Sequence, residues 1–207
     1  MPHQLCNHLL ANNLSETFQS AYRAHHSTET ALLDVTNCLL GNADEGRVSI
    51  LTLLDLSAAF DTIRWIRDIL LARLQDMFGI SGKAFEWISS YLSDRFESVS
   101  INGRVSSQKK LRYGVPQGSV SGPLLFTLYT QPLSDIISQS RCNHNKFADD
   151  TNFHQSSTPS DFHALIHSIE QCVDSVRRWL TCSRLKLNND KTEALMSKPC
   201  QKSWGLH

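Results

Sequence analysis

The chain has 207 residues, with 20 Lys plus Arg against 20 Asp plus Glu, so its formal charge is zero with histidines neutral. That balance argues against a wholly basic nucleic-acid module, and 41% hydrophobic with 19% charged residues is too apolar for a disordered chain. The length fits one domain or a fragment of one.

In chain order, Ala31, Leu32, Val35 and Leu39 recur at helical spacing and predict a helix over Thr28 to Leu40, broken by Gly41, Asn42 and Gly46. Val48 to Leu56 is a short, almost wholly apolar run, the pattern of a strand buried on both faces, and it ends in the charge of Asp55. Ile66, Ile69, Leu70, Leu74, Met77 and Phe78 predict a helix closed by Gly79 at C′. A second helix follows, with Ser81 as N-cap and Phe85, Ile88 and Leu92 on one face. Val99, Ile101 and Val105 around Asn102-Gly103 predict a hairpin with a type I′ turn.

Gly114, Pro116, Gly118, Gly122 and Pro123 mark loop chemistry, and Asn145 to His154 reads as two short strands joined by an acidic turn at Asp149-Asp150. Ser160 is expected to cap a long helix whose apolar stripe is Phe162, Leu165, Ile166, Ile169, Val173, Val176 and Trp179.

No apolar run approaches the roughly 20 residues needed to cross a bilayer, so no membrane association is expected. The first Lys or Arg is Arg23 and no sustained apolar core precedes it, unlike a secretory signal. An intracellular chain is expected, in nucleus or cytoplasm, although no strong basic localisation run is present. Cys6, Cys38, Cys142, Cys172, Cys182 and Cys200 form no C-x-x-C pair and read as reduced thiols.

Two acidic tips carry chemistry: Asp55 with Asp61 after the buried strand, and the Asp149-Asp150 turn. Adjacent carboxylates repel unless neutralised, and a hard divalent cation does this with oxygen ligands, leaving room for substrate phosphates. Two such ions stabilise the attacking and leaving oxygens of an in-line phosphoryl displacement. Taken alone, an Asp-Asp turn reads first as a solvated turn. His163, His167 and Cys172 fall one helical turn apart, but they lack a fourth ligand and read as a wet surface rather than a zinc site. Arg177 and Arg178 read as a solvated helix face, while Lys109, Lys110 and Arg112 form a small basic cluster that suits either phosphate or solvent.

The joint pattern is more specific. LDLSAAFDTI at Leu54 to Ile63 is followed by GVPQGSVSGPLLF from Gly114, FADD from Phe147 and LKLNNDKTE from Leu185. These four stretches, in this order, resemble motifs A, B, C and D of the reverse transcriptases of non-LTR (LINE-type) retrotransposons, and SETFQSAYRAHHSTETALL at Ser15 to Leu33 resembles the segment before motif A.

The resemblance implies an α+β fold, the palm of a right-hand polymerase, with an antiparallel sheet backed by helices. Residues 1–47 would be a partial fingers segment, 48–198 the palm and 199–207 a tail, with thumb and endonuclease absent. It implies an RNA-directed DNA polymerase that joins a deoxynucleotide to a primer 3′-OH on an RNA template with two magnesium ions. Asp55, Asp149 and the Leu56 carbonyl would hold the metals, and Asp150 would tune their field. Lys191 would be the general acid toward pyrophosphate, Phe60 the ring that crowds the sugar 2′ position, and Gln117 and Gly118 the lining of the nucleotide pocket. Asp61 reads as a cap for the following helix. Against the family pattern, RWIRD places five residues between Ile63 and Ile69 where three are usual, and Ser121 stands where an apolar residue is usual.

Three functional readings follow from the sequence: a polymerase domain; a catalytically inactive or domesticated remnant that only binds nucleic acid or serves structurally; and a generic magnesium phosphohydrolase, which would not need Gln117 or Phe60. The zero charge itself resolves into −5 for residues 1–100 and +5 for residues 101–207, so the cations available for phosphates lie mostly in the second half.

Overall fold

The apolar run after residue 47 forms the centre of an antiparallel sheet, because both of its faces are covered and alternate side chains must bury on each. The computed structural model describes residues 2–23, 26–57, 66–110 and 119–199. Its elements are α1 (Pro2–Ala11), α2 (Thr28–Asp44), β1 (Val48–Leu54), β2 (Leu56–Ser57), α3 (Ile66–Asp76), α4 (Gly82–Tyr91), β3 (Phe96–Glu97), β4 (Ser100–Ile101), β5 (Arg104–Val105) and β6 (Lys109–Lys110). They continue with α5 (Ser121–Thr130), α6 (Pro132–Gln139), β7 (Asn143–Phe147), β8 (Asp150–Ser157), a 3-10 turn (Pro159–Asp161), α7 (Phe162–Cys182), β9 (Lys186–Leu187) and β10 (Glu193–Ser197). The mixture of helices with an antiparallel sheet is the expected α+β class.

The chain divides into two compact units. One comprises Glu16–Ser57, Thr130–Cys182 and Lys186–His207; the other comprises Met1–Ser15, Ala58–Tyr129 and Ser183–Leu185. The first holds the four-stranded sheet, ordered β10-β1-β8-β7, with every pairing antiparallel. Thr52 lies opposite Phe153 and Leu54 opposite Thr151. Helix α2 packs on β1 and β7, and α7 packs on β1 and β8. His154 faces α2, its Nε2 lying 3.2 Å from Cys38 Sγ. Strand alternation then turns its neighbour Phe153 to the other face, where the ring is fully buried.

Helix α2 runs through Gly41 and Asn42 to Asp44, past the predicted break. A helical glycine costs only about 1 kcal/mol relative to alanine. The stop comes at Gly46, whose φ of +78° lets Gly46 N–H reach Ala43 O and Arg47 N–H reach Asn42 O, the paired bonds of a Schellman end. At the other end Ser27 and Thr30 form a reciprocal capping box.

The start of α7 differs from expectation. Ser160 lies inside the 3-10 turn, and Thr158 caps that turn in extended conformation, with its hydroxyl 2.7 Å from Asp161 Oδ2. Proline at 159 fits the first position after a cap. The buried stripe of α7 is Leu165, Ile169, Cys172, Val176 and Leu180, so Cys172 is a core residue, whereas His163 and His167 are exposed. Ile166, Val173 and Trp179 flank the stripe, half-buried. The five described cysteines are free thiols.

In the second unit, α3 and α4 pack together. Leu70, Leu74, Phe78, Ile88, Leu125, Leu128 and Tyr129 are fully buried there. Arg73 lies 4.5 Å over the Tyr129 ring and donates to Tyr129 O and to Ser183 Oγ. Burial pushes the Tyr129 phenol up to about 12, against the pull of Arg73. Ser81 occupies the N-cap of α4 without a side-chain cap bond. The predicted hairpin forms between β4 and β5, with Asn102 and Gly103 both at positive φ as a type I′ turn requires.

His144 is buried opposite Phe153, its ring 4.0 Å from that of Phe18. Burial lowers it to about 4; Lys146 and His154 push the same way, and Asp135 opposes them. A histidine held below its unfolded value contributes stability that is complete above pH 6.5 and lost as pH falls toward 4. Denaturant unfolding should therefore show about 2 kcal/mol less stability at pH 4.5 than at pH 7 from this residue. His144→Phe should flatten that slope, and an unchanged slope would remove His144 as its cause.

Candidate active site

Asp55 is the residue at which β1 ends and β2 begins. There the chain leaves the four-stranded sheet and pairs with β9, Leu56 lying opposite Leu187. Asn188, the next residue after β9, grips Asp55 twice. Its backbone N–H donates to Asp55 O at 2.9 Å, and its Nδ2 donates to Asp55 Oδ2 at 2.8 Å. One carboxylate oxygen is thereby fixed in direction.

The β7–β8 hairpin brings the other two carboxylates to the same end of the sheet, because Leu54 pairs with Thr151 and Phe147 with Asp150. The turn is tight: Ala148 adopts φ +58°, which costs a non-glycine residue about 1 kcal/mol. Asp149 is half-buried and Asp150 exposed. Burial raises the Asp150 carboxyl above its ordinary value, and the charges of Asp149 and Asp55 raise it further. The three acids thus share one field. Burial raises the Tyr22 phenol above its ordinary value, and the charge of Asp149 raises it further.

A cavity of about 410 Å³ opens beside these groups. Asp55, Asp150 and Lys191 lie on its wall with Asn145, Asn152 and Thr28, over an apolar floor that includes Leu53, Leu54 and Phe147. Of the Asp149-Asp150 pair, Asp150 is the one that lines it. Lys191 is exposed and carries its ammonium on the segment ordered by Asn188, to whose carbonyl its N–H donates at 3.3 Å. Among the sequence-predicted site residues, Asp55, Leu56, Asp149, Asp150 and Lys191 fall at one end of this unit. Phe60, Asp61, Gln117 and Gly118 lie outside the described residues.

Two polar residues at this site were not anticipated from the motifs. Asn188 sits inside LKLNNDK, and an asparagine at a strand end is its only local signal. Gln19 is 2% exposed and bonds the acidic turn directly. Lys109 and Lys110 are exposed on β6, where Lys110 pairs with Asp94 at 2.7 Å. Arg177 and Arg178 are exposed on α7, as expected.

The family described as Reverse transcriptase (RNA-dependent DNA polymerase) matches residues 2–206. The chain belongs to the reverse transcriptase family. This reverse transcriptase domain is 29% identical over 208 residues to a Drosophila melanogaster protein named probable RNA-directed DNA polymerase from transposon BS, covering 91% of this chain and 22% of that one. It is 26% identical over 179 residues to the RNA-directed DNA polymerase from mobile element jockey of the same organism, covering 84% and 19%.

The domain therefore spans about a fifth of the length of these relatives. Its fold matches apo telomerase from Candida tropicalis truncated from the C-terminal domain, with a TM-score of 0.68 at 15% identity over 96% of this chain and 40% of that one. Membership does not favour the reading of a catalytically inactive remnant.

Reverse transcriptase membership implies a divalent metal cofactor. The residues present fit one. Their donors are hard carboxylate oxygens brought to one end of the sheet, where burial first, and then the charges of Asp149 and Asp55, raise the Asp150 carboxyl, and a hard cation would neutralise that charge. Among the described residues no group of three or more His, Cys, Asp or Glu is arranged to hold a metal by itself. No helix among the described residues is long and apolar enough to cross a membrane.

Proposed function

We propose that this domain performs RNA-directed DNA synthesis, extending a DNA primer on an RNA template with deoxynucleoside triphosphates. The observation that carries the reading is the meeting of Asp55 and the Asp149-Asp150 turn at one end of the sheet, close enough for Asp150 to feel both other carboxylates.

Asp55, Asp149 and the Leu56 carbonyl would hold two magnesium ions, with Asp150 shaping the field. When bound, the ions supply charge neutralisation for the triphosphate and for the developing oxyanions. Asn188 keeps Asp55 pointed by its two hydrogen bonds. In the reaction the primer 3′ hydroxyl would give its proton to solvent, the bond from its oxygen to the α-phosphorus would form, and the bond from that phosphorus to the oxygen leading to the β-phosphate would break, its electron pair leaving with pyrophosphate. Lys191, exposed on the cavity wall, would give a proton to the departing pyrophosphate. Phe60 would select the sugar, and Gln117 with Gly118 would line the nucleotide pocket.

Residues 48–198 would serve as palm, 1–47 as part of the fingers and 199–207 as a tail, in a protein acting in nucleus or cytoplasm. Primer extension on an RNA template with magnesium or manganese tests the reading. The wild-type domain should extend the primer and Asp149→Ala should not; equal signal in both would overturn it.

A further inference from the structure

The segment Glu16–Ala21 lies alongside the hairpin that carries the acidic turn and is bonded to it at successive residues. Phe18 O accepts from Lys146 N–H and Ser20 N–H donates to Lys146 O, both at 2.8 Å, which makes a parallel bridge between Gln19 and Lys146. From the middle of this strap the Gln19 side chain reaches Ala148. Gln19 Nε2 donates to Ala148 O at 3.2 Å, and Gln19 Oε1 accepts from Ala148 N–H at 2.9 Å. The same Oε1 accepts from Ala21 N–H at 3.0 Å. One buried amide therefore closes on both polar groups of a single residue.

That residue is the one before Asp149, and it holds a left-handed φ of +58° that alanine rarely adopts. Rotation about its backbone would swing the Asp149 carboxylate. A backbone conformation of this kind persists only where surrounding bonds over-determine it. An amide matches the need because it offers one donor and one acceptor in a plane, the complement of a peptide N–H and C=O.

We propose that Gln19 is a positioning residue for catalysis, a clamp that fixes the Ala148 backbone so that Asp149 points at the metal-binding end of the sheet. The proposal rests on the reading of Asp55 and Asp149 as cation-binding carboxylates. Through its bond to Ala21 N–H, the clamp also fixes the chain just before Tyr22, whose phenol senses Asp149. Gln19 touches neither substrate nor cation in this role; it acts through Ala148.

The test uses the full chain with Gln19→Met, which keeps the volume of the side chain and removes both amide groups. Gln19→Asn, one methylene too short to span Ala148, is the second variant should the first not fold. Two readouts are taken. Hydrogen exchange of the Ala148 amide should accelerate at least about 10-fold while β1 amides keep their protection. The concentration of Mn²⁺ that half-saturates the Asp149-dependent site, followed by electron paramagnetic resonance of the free ion, should rise about 10-fold, the order expected when support of a ligand is lost.

Unchanged Ala148 exchange would overturn the clamp. Faster exchange with unchanged Mn²⁺ half-saturation would reduce Gln19 to a structural bond and overturn its positioning role. A wild-type chain showing no Mn²⁺ binding that Asp149→Ala removes would refute the cation-site reading itself, and positioning with it, an outcome distinct from the other two.

Discussion

Substituting Asp55 by asparagine should lower primer extension by about 10³-fold or more, because a metal-bound carboxylate supplies several kcal/mol of transition-state stabilisation. The same change should leave stability within about 1 kcal/mol of the wild type. Asparagine is close in shape to aspartate, and its side-chain oxygen can still accept the bond that Asn188 Nδ2 now gives to Asp55 Oδ2. The separation of the two effects is the informative part. Single-turnover extension and a urea titration on one preparation measure both. A loss of activity matched by a collapse of the fold would assign Asp55 to structure instead, and full activity would remove it from the site.

Glu16→Gln should destabilise the chain by about 3–5 kcal/mol. Lys146 and Glu16 have side chains only 1% and 4% exposed, with Nζ and Oε2 3.3 Å apart, and Lys146 also donates to Thr130 O at 3.0 Å. Burial pulls the Lys146 ammonium below its ordinary value, while Glu16 pulls it back up. Removing the carboxylate charge leaves an ammonium in the interior with one neutral carbonyl and a hydroxyl as its other partners. Removing both charges, in Glu16→Gln with Lys146→Met, should recover most of the loss, because a desolvated pair is worth far less than the cost of breaking it. Urea midpoints for the two single variants and the double variant measure this coupling. Additive losses would show that the pair is not coupled. Lys146 lies two residues before Ala148, so the single variants should also loosen the acidic turn.

The strand that carries Asp55 was legible because a run buried on both faces is almost wholly apolar, with only Ser49 and Thr52 as polar interruptions, and the hairpin at 143–157 because two acids between phenylalanines mark a turn. Sheet order was not legible. That β1 sits between β8 and β10 depends on pairings between residues about 100 and 140 positions apart, which local pattern does not encode. Local rules also failed where a competing geometry won. Gly41 reads as a helix breaker, yet the helix ends only at Gly46, where a positive φ is needed. Ser160 reads as a cap, yet Thr158 takes that place because Pro159 opens the turn.

The carboxylates were legible through motif order, whereas Gln19 and Asn188 were not. Both act on backbone or side-chain atoms more than 120 residues away, and nothing in their neighbourhood distinguishes them from solvated polar residues. Burial alone reveals Gln19, since a glutamine 2% exposed must find its partners inside.

Single-nucleotide incorporation tests whether Asp55 and the Asp149-Asp150 turn form a template-reading polymerase centre. A DNA primer is annealed to RNA templates that present each of the four bases in turn, and one deoxynucleoside triphosphate is offered at a time with a divalent cation. The structure predicts addition of the complementary deoxynucleotide and loss of that addition in Asp149→Ala. Addition that ignores the template base, or that survives Asp149→Ala undiminished, would contradict it.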